Sequence, residues 1–344
     1  MYTYPSKPDL FKELIRTNSK QHSMGESLKT YLELKIHPSL SLCNYDRIRV
    51  VGKFDRTAGV SDKEKDKTFN WIRPTAVIIG NNTLELRCFP GKDYVYHYAN
   101  IVNVYMSQYL DYNATIYYNI PSEMECWEAI EKSELKNLPS VKTVIMGYVE
   151  GLAFLSKNKE WIDCGMYQYN CISDDAILLG CKHTYWGDIA GRIVTYLSSR
   201  GTQQVIYAGK LGTLNESIVP NTCIATGNKS ILPNGKSVTW ENLFSPNSHS
   251  SIIEGVHITL PSVLQETKEW VECNKLRAQY VDPEIGHMAY AAKQNRIRFS
   301  YLHIISDNIS AKYSEDLSNE RILEVIEKRK GLLHIIGNCI REVM

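Results

Sequence analysis

Two acidic segments in the last quarter of the chain carry the residues best suited to chemistry. The first is Val281-Asp282-Pro283-Glu284, and the second, about two dozen positions later, is Ile304-Ile305-Ser306-Asp307-Asn308. Each places a carboxylate at the edge of an apolar run, and one helix and one strand would fill the distance between them. An α/β enzyme brings separate acids into one cleft in this way. The pattern therefore predicts an active site in which carboxyl groups carry out the chemistry.

A second candidate segment joins an apolar run to a pair of glycines. Residues 204–208 are strand-like and lead directly into Gly209-Lys210-Leu211-Gly212-Thr213. In a loop, backbone N–H groups there could point at an anion or a sugar because no Cβ blocks the approach, and Lys210 would add a positive charge. A tight turn is the more common role of such glycines, and the segment matches neither a Walker loop nor a GxGxxG fingerprint.

Four short motifs follow one another in the second half of the chain. They are V-I-Y-A-G-K-L-G from Val205, I-V-P-N-T from Ile218, V-D-P-E from Val281 and I-I-S-D from Ile304. In their order and approximate spacing, they resemble the nucleoside phosphorylase and nucleosidase superfamily, which includes purine nucleoside phosphorylases, methylthioadenosine/S-adenosylhomocysteine nucleosidases and AMP nucleosidases. The resemblance covers about residues 140–344 and leaves the first 140 residues unexplained.

The resemblance implies roles for the acids. Glu284 matches the glutamate of the family's acidic-Met-Glu motif, which hydrogen-bonds the ribose hydroxyls and supports the cationic sugar as the glycosidic bond lengthens. Asp307 matches the aspartate of the Ser-Asp motif, which hydrogen-bonds or protonates N7 of the departing purine. Asp307 must hold a proton to do so, which requires a pKa raised by burial. By the same motifs, Asp282 and Pro283 are expected to line the substrate site.

Departures from the family's motifs favour hydrolysis over phosphorolysis. Pro283 replaces the methionine that packs on the ribose, so a helix is expected to begin there. Lys210 replaces a small polar residue, and Tyr207 stands where phosphorylases carry an arginine. These changes remove expected phosphate ligands, although Lys210 itself is a candidate to bind a 5′-phosphate or inorganic phosphate. The glutamate that would activate water falls on Leu152 in register, and Glu150 is the nearest substitute base.

Two further residues are candidates for substrate contacts. Arg192 lies one turn into a predicted helix and could reach a phosphate, although a solvent-facing arginine is the commoner outcome. His257 lies where the family places residues that flank the base, and a histidine satisfied by a backbone carbonyl is an equal alternative. No Ser/His/Asp or Cys/His set at recognisable spacing supports covalent catalysis.

The composition of the chain limits the classes of binding partner that we expect. The 344 residues carry 39 Lys plus Arg and 38 Asp plus Glu, a net charge of +1 with His neutral. No net field would hold such a chain on nucleic acid or on an acidic membrane. Nine cysteines are scattered without a CxxC pair, which is typical of reduced thiols in the cytosol. We therefore expect a cytoplasmic protein without nucleic-acid or membrane partners, and neither a metal nor an organic cofactor follows from the sequence.

The hydrophobic patterns predict a chain in two parts. Residues 1–139 form an N-terminal α+β module of unknown role, with a Tyr-rich helix near residues 94–109 that packs on a sheet rather than stacking on bases. From residue 140 strands and helices alternate, as in a doubly wound or mixed sheet. An apolar helical stripe over residues 318–341 is expected to cover one sheet face. With the resemblance, the fold class is α/β: a three-layer mixed sheet flanked by helices, with a nucleoside phosphorylase-like catalytic domain over residues 140–344.

These observations lead to one functional hypothesis and two alternatives. The hypothesis is an enzyme that cleaves the N-glycosidic bond of a purine nucleoside or nucleotide, with water slightly favoured over inorganic phosphate as the nucleophile. Family relatives are commonly oligomeric, so we expect a homo-oligomer. The first alternative is a nucleoside or nucleotide sensor that keeps the fold without turnover. The second is a scaffold whose partner binds through the N-terminal module.

Overall fold

The computed structural model describes residues 13–58, 67–80, 82–158, 160–244 and 249–344. The described helices are α1 (Ser27–Lys35), α2 (Lys92–Tyr109), α3 (Glu123–Glu131), α4 (Asp188–Ser199), α5 (Lys268–Asn274), α6 (Ile285–Asn295) and α7 (Leu323–Val343). Short 3₁₀ helices occupy Pro38–Ser41, Leu135–Asn137, Glu150–Leu155 and Val263–Gln265.

The described strands divide between two sheets. The smaller sheet contains β1 (Arg47–Val51), β2 (Thr75–Ile79), β3 (Thr83–Arg87) and β4 (Thr115–Asn119). The larger sheet contains β5 (Thr143–Gly147), β6 (Ile162–Cys164), β7 (Tyr167–Ser173), β8 (Ala176–Cys181), β9 (Gln204–Thr213), β10 (Ile224–Thr226), β11 (Lys229–Ile231), β12 (Ser237–Thr239), β13 (Ile252–Glu254), β14 (His257–Thr259), β15 (Tyr280–Asp282) and β16 (Arg298–Asn308). Mixed sheets flanked by helices confirm the predicted α/β fold class.

The smaller sheet is mixed and carries the tyrosine-rich helix. β1 runs parallel to both β3 and β4, and β2 pairs antiparallel with β3. Helix α2 packs on this sheet with Tyr94, Tyr96 and Tyr98 buried, so the packing prediction is confirmed. A capping box begins α3: the Glu125 N–H donates to Ser122 Oγ over 3.2 Å, and the Ser122 N–H donates to the Glu125 carboxylate over 2.8 Å.

Strand β9 is the centre of the larger sheet. One edge of β9 pairs with β16 along its whole length, from Gln204 beside Arg298 to Thr213 beside Asn308. Its other edge pairs first with β5 and then with β15. Near the end of β9, Gly212 has the β15 residue Val281 on one side and the β16 residue Asp307 on the other. The two acidic motifs therefore flank the same strand.

Residues 209–213 continue strand β9, so the predicted glycine loop was wrong. Pairing with β16 supplies partners for the backbone, and this tertiary contact overrides the local preference of glycine for turns. The glycines permit close packing instead. A Cβ on Gly209 would lie 2.7 Å from the ring of His303, and one on Gly212 would lie 3.1 Å from Asp307 Oδ2.

One hydrophobic core joins the two sheets. Its buried members include Leu28 of α1, Val95 of α2 and Tyr207 of β9. A second cluster lies under α7, to which that helix contributes Leu333 and Ile336, so the C-terminal stripe covers a sheet face as predicted. The predicted division of the chain near residue 140 stays a prediction.

Over the described ranges, none of the helices combines the length and the apolar character needed to cross a bilayer. Nor do any three His, Cys, Asp or Glu side chains there gather closely enough to hold a metal ion. The nine cysteines are free thiols.

Candidate active site

Asp307 is a buried carboxyl group at the edge of a concavity. It follows an irregularity in the pairing of β16, between Ile305 and Asp307, and only 6% of its surface is exposed. The Ser306 hydroxyl donates to Asp307 Oδ1 over 2.8 Å. Burial raises the pKa of Asp307 to about 6, so this carboxyl can hold a proton close to neutral pH. The residues lining the concavity are Ser23, Met24, Asp307, Asn308, Ile309, Lys312, Tyr313, Glu315, Asp316 and Leu317.

Glu266 is a second buried acid beside Asp307, and sequence reasoning missed it. Its side chain is 4% exposed, and its Oε2 has no hydrogen-bond partner among the described residues. The Ser23 N–H, from the lining of the concavity, donates to the Glu266 carbonyl oxygen over 2.9 Å. Burial raises the pKa of Glu266, and the charge of Asp307 raises it further. Nothing in the local sequence distinguishes Glu266 from a solvated acid ahead of a helix.

Glu284 stands at the start of helix α6, after strand β15. It is 8% exposed, and the Tyr207 hydroxyl donates to its Oε2 over 3.3 Å while the Gly187 N–H approaches Oε1 at 3.4 Å. Burial raises the pKa of Glu284, and the nearby charge of Asp282 adds to the effect. Pro283 lies between strand and helix, and regular helix begins at Ile285.

Asp282 points into the protein and holds the backbone in place where α6 begins. Its Oδ1 accepts the N–H groups of Glu284 at 3.0 Å and Ile285 at 2.9 Å. The same oxygen lies 2.9 Å from Nε2 of His257, whose Nδ1 is 2.9 Å from Ser230 Oγ. His257 therefore contacts the side chains of Asp282 and Ser230 rather than the alternative backbone carbonyl. Asp282 and His257, both buried, hold Glu284 in place.

Neither Lys210 nor Glu150 is among the described residues that line the concavity beside Asp307. Lys210 Nζ forms an ion pair with Glu320 and lies 5.6 Å from the centre of the Tyr148 ring. Glu150 begins the 3₁₀ helix after β5, and its Oε2 has no hydrogen-bond partner among the described residues. Burial raises the pKa of Glu150, although the charge of Lys210 acts in the opposite direction.

Arg192 is buried, so the more common outcome of a solvent-facing arginine does not hold here. It is fully buried, and its Nη2 lies 2.9 Å from Glu123 Oε2 and 3.1 Å from Asp188 Oδ2. Asp188 is one helical turn before Arg192, so the pair forms within α4 and Glu123 closes it from α3. The contacts of Arg192 are therefore those of a helix-packing residue.

The two principal acids lie on either side of β9 with different immediate neighbours. Glu284 faces Tyr207, whereas Asp307 faces the concavity, and Glu284 is not among the described residues that line it. The charges of Glu284 and Glu150 both act on Tyr185, and the charge of Lys210 acts on Glu150. The structure therefore places Glu284 and Asp307 in different immediate surroundings on the two sides of β9.

Proteins similar to this chain include nucleosidases and an oxidoreductase. The oxidoreductase cns1 of Cordyceps militaris is 24% identical over 257 residues, which are 65% of this chain and 32% of that protein. The chain thus spans about a third of the length of the curated relative it matches. No family model matches.

Two solved structures are similar to this chain at low sequence identity. A futalosine hydrolase mutant of Helicobacter pylori has 14% identity and a TM-score of 0.46, covering 59% of this chain and 99% of that one. The 5′-methylthioadenosine/S-adenosyl homocysteine nucleosidase of Campylobacter jejuni has 14% identity and a TM-score of 0.45, covering 59% of this chain and 98% of that one.

We predict that Asp307→Asn stabilises the protein near neutral pH. The folded pKa of about 6 lies above the ordinary 3.8, so the folded state binds more protons, and wild-type stability falls as pH rises from about 4 to about 6. Asparagine does not ionise, so the variant avoids this loss of stability. Its side-chain oxygen can still accept a hydrogen bond from the Ser306 hydroxyl. The variant should gain roughly 1–3 kcal/mol over wild type at about pH 7.5 and little at about pH 4.

Chemical denaturation at the two pH values measures this difference, with Asp111→Asn on the exposed surface as the control. A loss of stability in Asp307→Asn at neutral pH would show that the carboxylate is well accommodated in the fold.

Proposed function

We propose that this protein cleaves the N-glycosidic bond of a purine nucleoside or nucleotide, with water favoured over phosphate as the nucleophile. The observation that carries the proposal is the protonatable carboxyl of Asp307, buried at the edge of a concavity, in the position where the motifs resemble a base-protonating aspartate. The motif resemblance implies a reaction in which a base departs, and the buried, protonatable carboxyl of Asp307 supports an acid at that position.

Cleavage of an N-glycosidic bond separates charge, and the acids suit both ends of it. The base leaves with negative charge, which proton donation or a hydrogen bond from a neutral carboxyl offsets. Asp307 supplies that proton, and neutral Glu266 beside it keeps a second carboxylate from repelling the leaving group. The sugar gains positive charge, which favours the ionised form of Glu284 and is stabilised by it.

Glu284 is also arranged to recognise hydroxyl groups. It already accepts a hydrogen bond from the Tyr207 hydroxyl, and a ribose hydroxyl would donate in the same manner. Asp282 and His257 fix the backbone from which Glu284 projects, which supports a defined geometry for the sugar.

Two contacts support water as the nucleophile. Tyr207, at the position of the phosphorylase arginine, is engaged with Glu284, and Lys210 is paired with Glu320. Glu150 is a buried carboxyl whose Oε2 lacks a hydrogen-bond partner among the described residues, and a raised pKa makes its ionised form a stronger base. Glu150 is our candidate to activate water.

The same contacts support a second candidate function, a nucleoside or nucleotide sensor without turnover. In the free protein, Glu284 is hydrogen-bonded to Tyr207, and Lys210 is paired with Glu320. A ligand that binds Glu284 and Lys210 would have to replace Tyr207 and Glu320 as their partners. A sensor needs only that exchange, whereas an enzyme must also bring a nucleophile to the sugar.

Base release separates enzyme from sensor. We predict that a panel of purine nucleosides and mononucleotides yields free base without added phosphate, and that Asp307→Ala lowers the rate at least about 100-fold because the leaving group loses its acid. Chromatography of the free base measures both results, and Asp111→Ala is the matched surface control. Binding without base release would favour the sensor, and strict dependence on phosphate would contradict hydrolysis.

The pH profile tests the protonation state of Asp307. Above a pKa of about 6 the fraction of protonated acid falls tenfold per pH unit, so kcat/KM for base release should fall with the same slope toward about pH 8. In Asp307→Asn, kcat/KM of the remaining slow reaction should not fall in this way as pH rises. A wild-type rate that is constant between about pH 5 and 8 would remove proton donation by Asp307 from the mechanism.

A further inference from the structure

The first turn of helix α2 meets the first turn of α4 inside the protein. Asp188 accepts the N–H groups of Lys92 over 3.2 Å and of Asp93 over 3.1 Å, so its carboxylate satisfies two of the N–H groups that a helix leaves unpaired at its start. Gly91, just before α2, permits this approach, since a Cβ there would lie 2.3 Å from the side chain of Ile189. These contacts fix the backbone from which Asp93 projects.

Asp93 reaches helix α6 through His287. Asp93 Oδ2 lies 2.7 Å from Nε2 of His287, and both side chains are fully buried. His287 is one helical turn after Glu284, so this contact holds the same turn of α6 that carries the glutamate. Because α2 belongs to the part of the chain before residue 140, the contact joins that part directly to the segment that bears Glu284.

Asp93 also contacts the turn that lies against the Glu284 carboxylate. Gly187 has a φ of 58°, and a Cβ on it would lie 2.5 Å from Asp93 Oδ2, so the Asp93 carboxylate packs directly on this glycine. The Gly187 N–H in turn approaches Glu284 Oε1 at 3.4 Å. The turn at Gly187 and the helical turn at His287 both support Glu284, and Asp93 contacts both of them.

Close packing leaves His287 little freedom to move independently of its helix. Gly191 of α4 faces α6, and a Cβ on it would lie 2.9 Å from the His287 carbonyl oxygen. Truncation of Asp93 removes the carboxylate partner of a buried imidazole, which is costly in a place that water does not reach. Any movement of His287 toward another partner would shift the turn of α6 that bears Glu284.

We infer that Asp93 is a positioning residue for Glu284, so that helix α2 completes the ribose side of the proposed active site. The inference rests on the proposed function, in which Glu284 accepts hydrogen bonds from ribose hydroxyls, and goes beyond it by giving the part of the chain before residue 140 a role in the site. Asp93 acts through His287 and Gly187, without contact to the substrate.

The experiment measures how strongly Glu284 recognises the sugar, by titration calorimetry with adenosine and with 2′,3′-dideoxyadenosine. The dideoxy compound lacks the hydroxyls that Glu284 would bind, so the ratio of the two affinities reports that contact. We expect adenosine to bind wild type at least about tenfold more tightly, and the ratio to fall at least about fivefold in Asp93→Ala and in His287→Ala. Asp93→Asn keeps a side-chain oxygen beside His287 and should restore part of the ratio.

Asn100→Ala is the matched control. Asn100 is a fully buried polar residue of the same helix, and its side chain accepts the Ile15 N–H over 2.6 Å and donates to the Tyr96 carbonyl oxygen over 2.7 Å. Its loss should destabilise α2 without changing the ratio of the two affinities. Thermal melting of every variant measures folding, and His287→Ala carries the test if Asp93→Ala does not fold.

A crystal structure of ligand-free Asp93→Ala gives a readout that needs no nucleoside. We expect the first turn of α6 to shift and the Glu284 carboxylate to move away from the Gly187 N–H. An unmoved Glu284 overturns the inference whatever the binding results.

The binding outcomes are distinct. The same ratio in wild type, Asp93→Ala and His287→Ala overturns the inference, and so does an equal fall in Asn100→Ala, which would show a general effect of destabilising α2. A ratio that depends on Asp93 in a protein that releases no base supports the inference and contradicts the proposed enzymatic function. A wild-type ratio near one contradicts the proposed contact of Glu284 with ribose, and the crystal structure of Asp93→Ala then decides the positioning of Glu284 by itself.

Discussion

Burying a carboxyl group without a cation beside it is the constraint on which the site depends. Glu266, Asp307 and Glu284 are 4%, 6% and 8% exposed, and none of them forms an ion pair with a described residue. An isolated buried carboxylate is strongly disfavoured, so such groups hold protons instead. The fold thus favours the neutral form of these three acids, while Lys210 and Arg329 pair with Glu320.

Strand β9 makes this arrangement possible because it has different neighbours along its length. β16 brings Asp307 to one edge, and β15 leads to Glu284 at the other. Gly209 and Gly212 leave room for His303 and Asp307, so the side chains of neighbouring strands can lie directly over the backbone of β9. The buried contacts of Asp282 with His257 and with the first N–H groups of α6 then fix Glu284 without placing a cation next to it.

Short-range patterns could predict the strands, the capping box of α3 and the two acidic motifs, because these features are local or have strong periodicity. The glycine segment after residue 208 was misjudged since its conformation depends on pairing with a strand about ninety residues later. Arg192 was expected on the surface more often than not, but Asp188 and Glu123 bury it, and only three-dimensional packing brings Glu123 there. Glu266 lies outside any motif, and its role comes from a burial that no local pattern encodes.

In the proposed mechanism, Glu284 and Asp307 act on one ligand from its two ends. A crystal structure of Asp307→Asn soaked with a purine nucleoside or mononucleotide tests it most directly, since the variant should bind substrate and turn it over slowly. We expect the Glu284 carboxylate within hydrogen-bond distance of the ribose hydroxyls and the side chain at position 307 facing N7 of the same molecule. A ligand that contacts only one of the two positions would contradict the account.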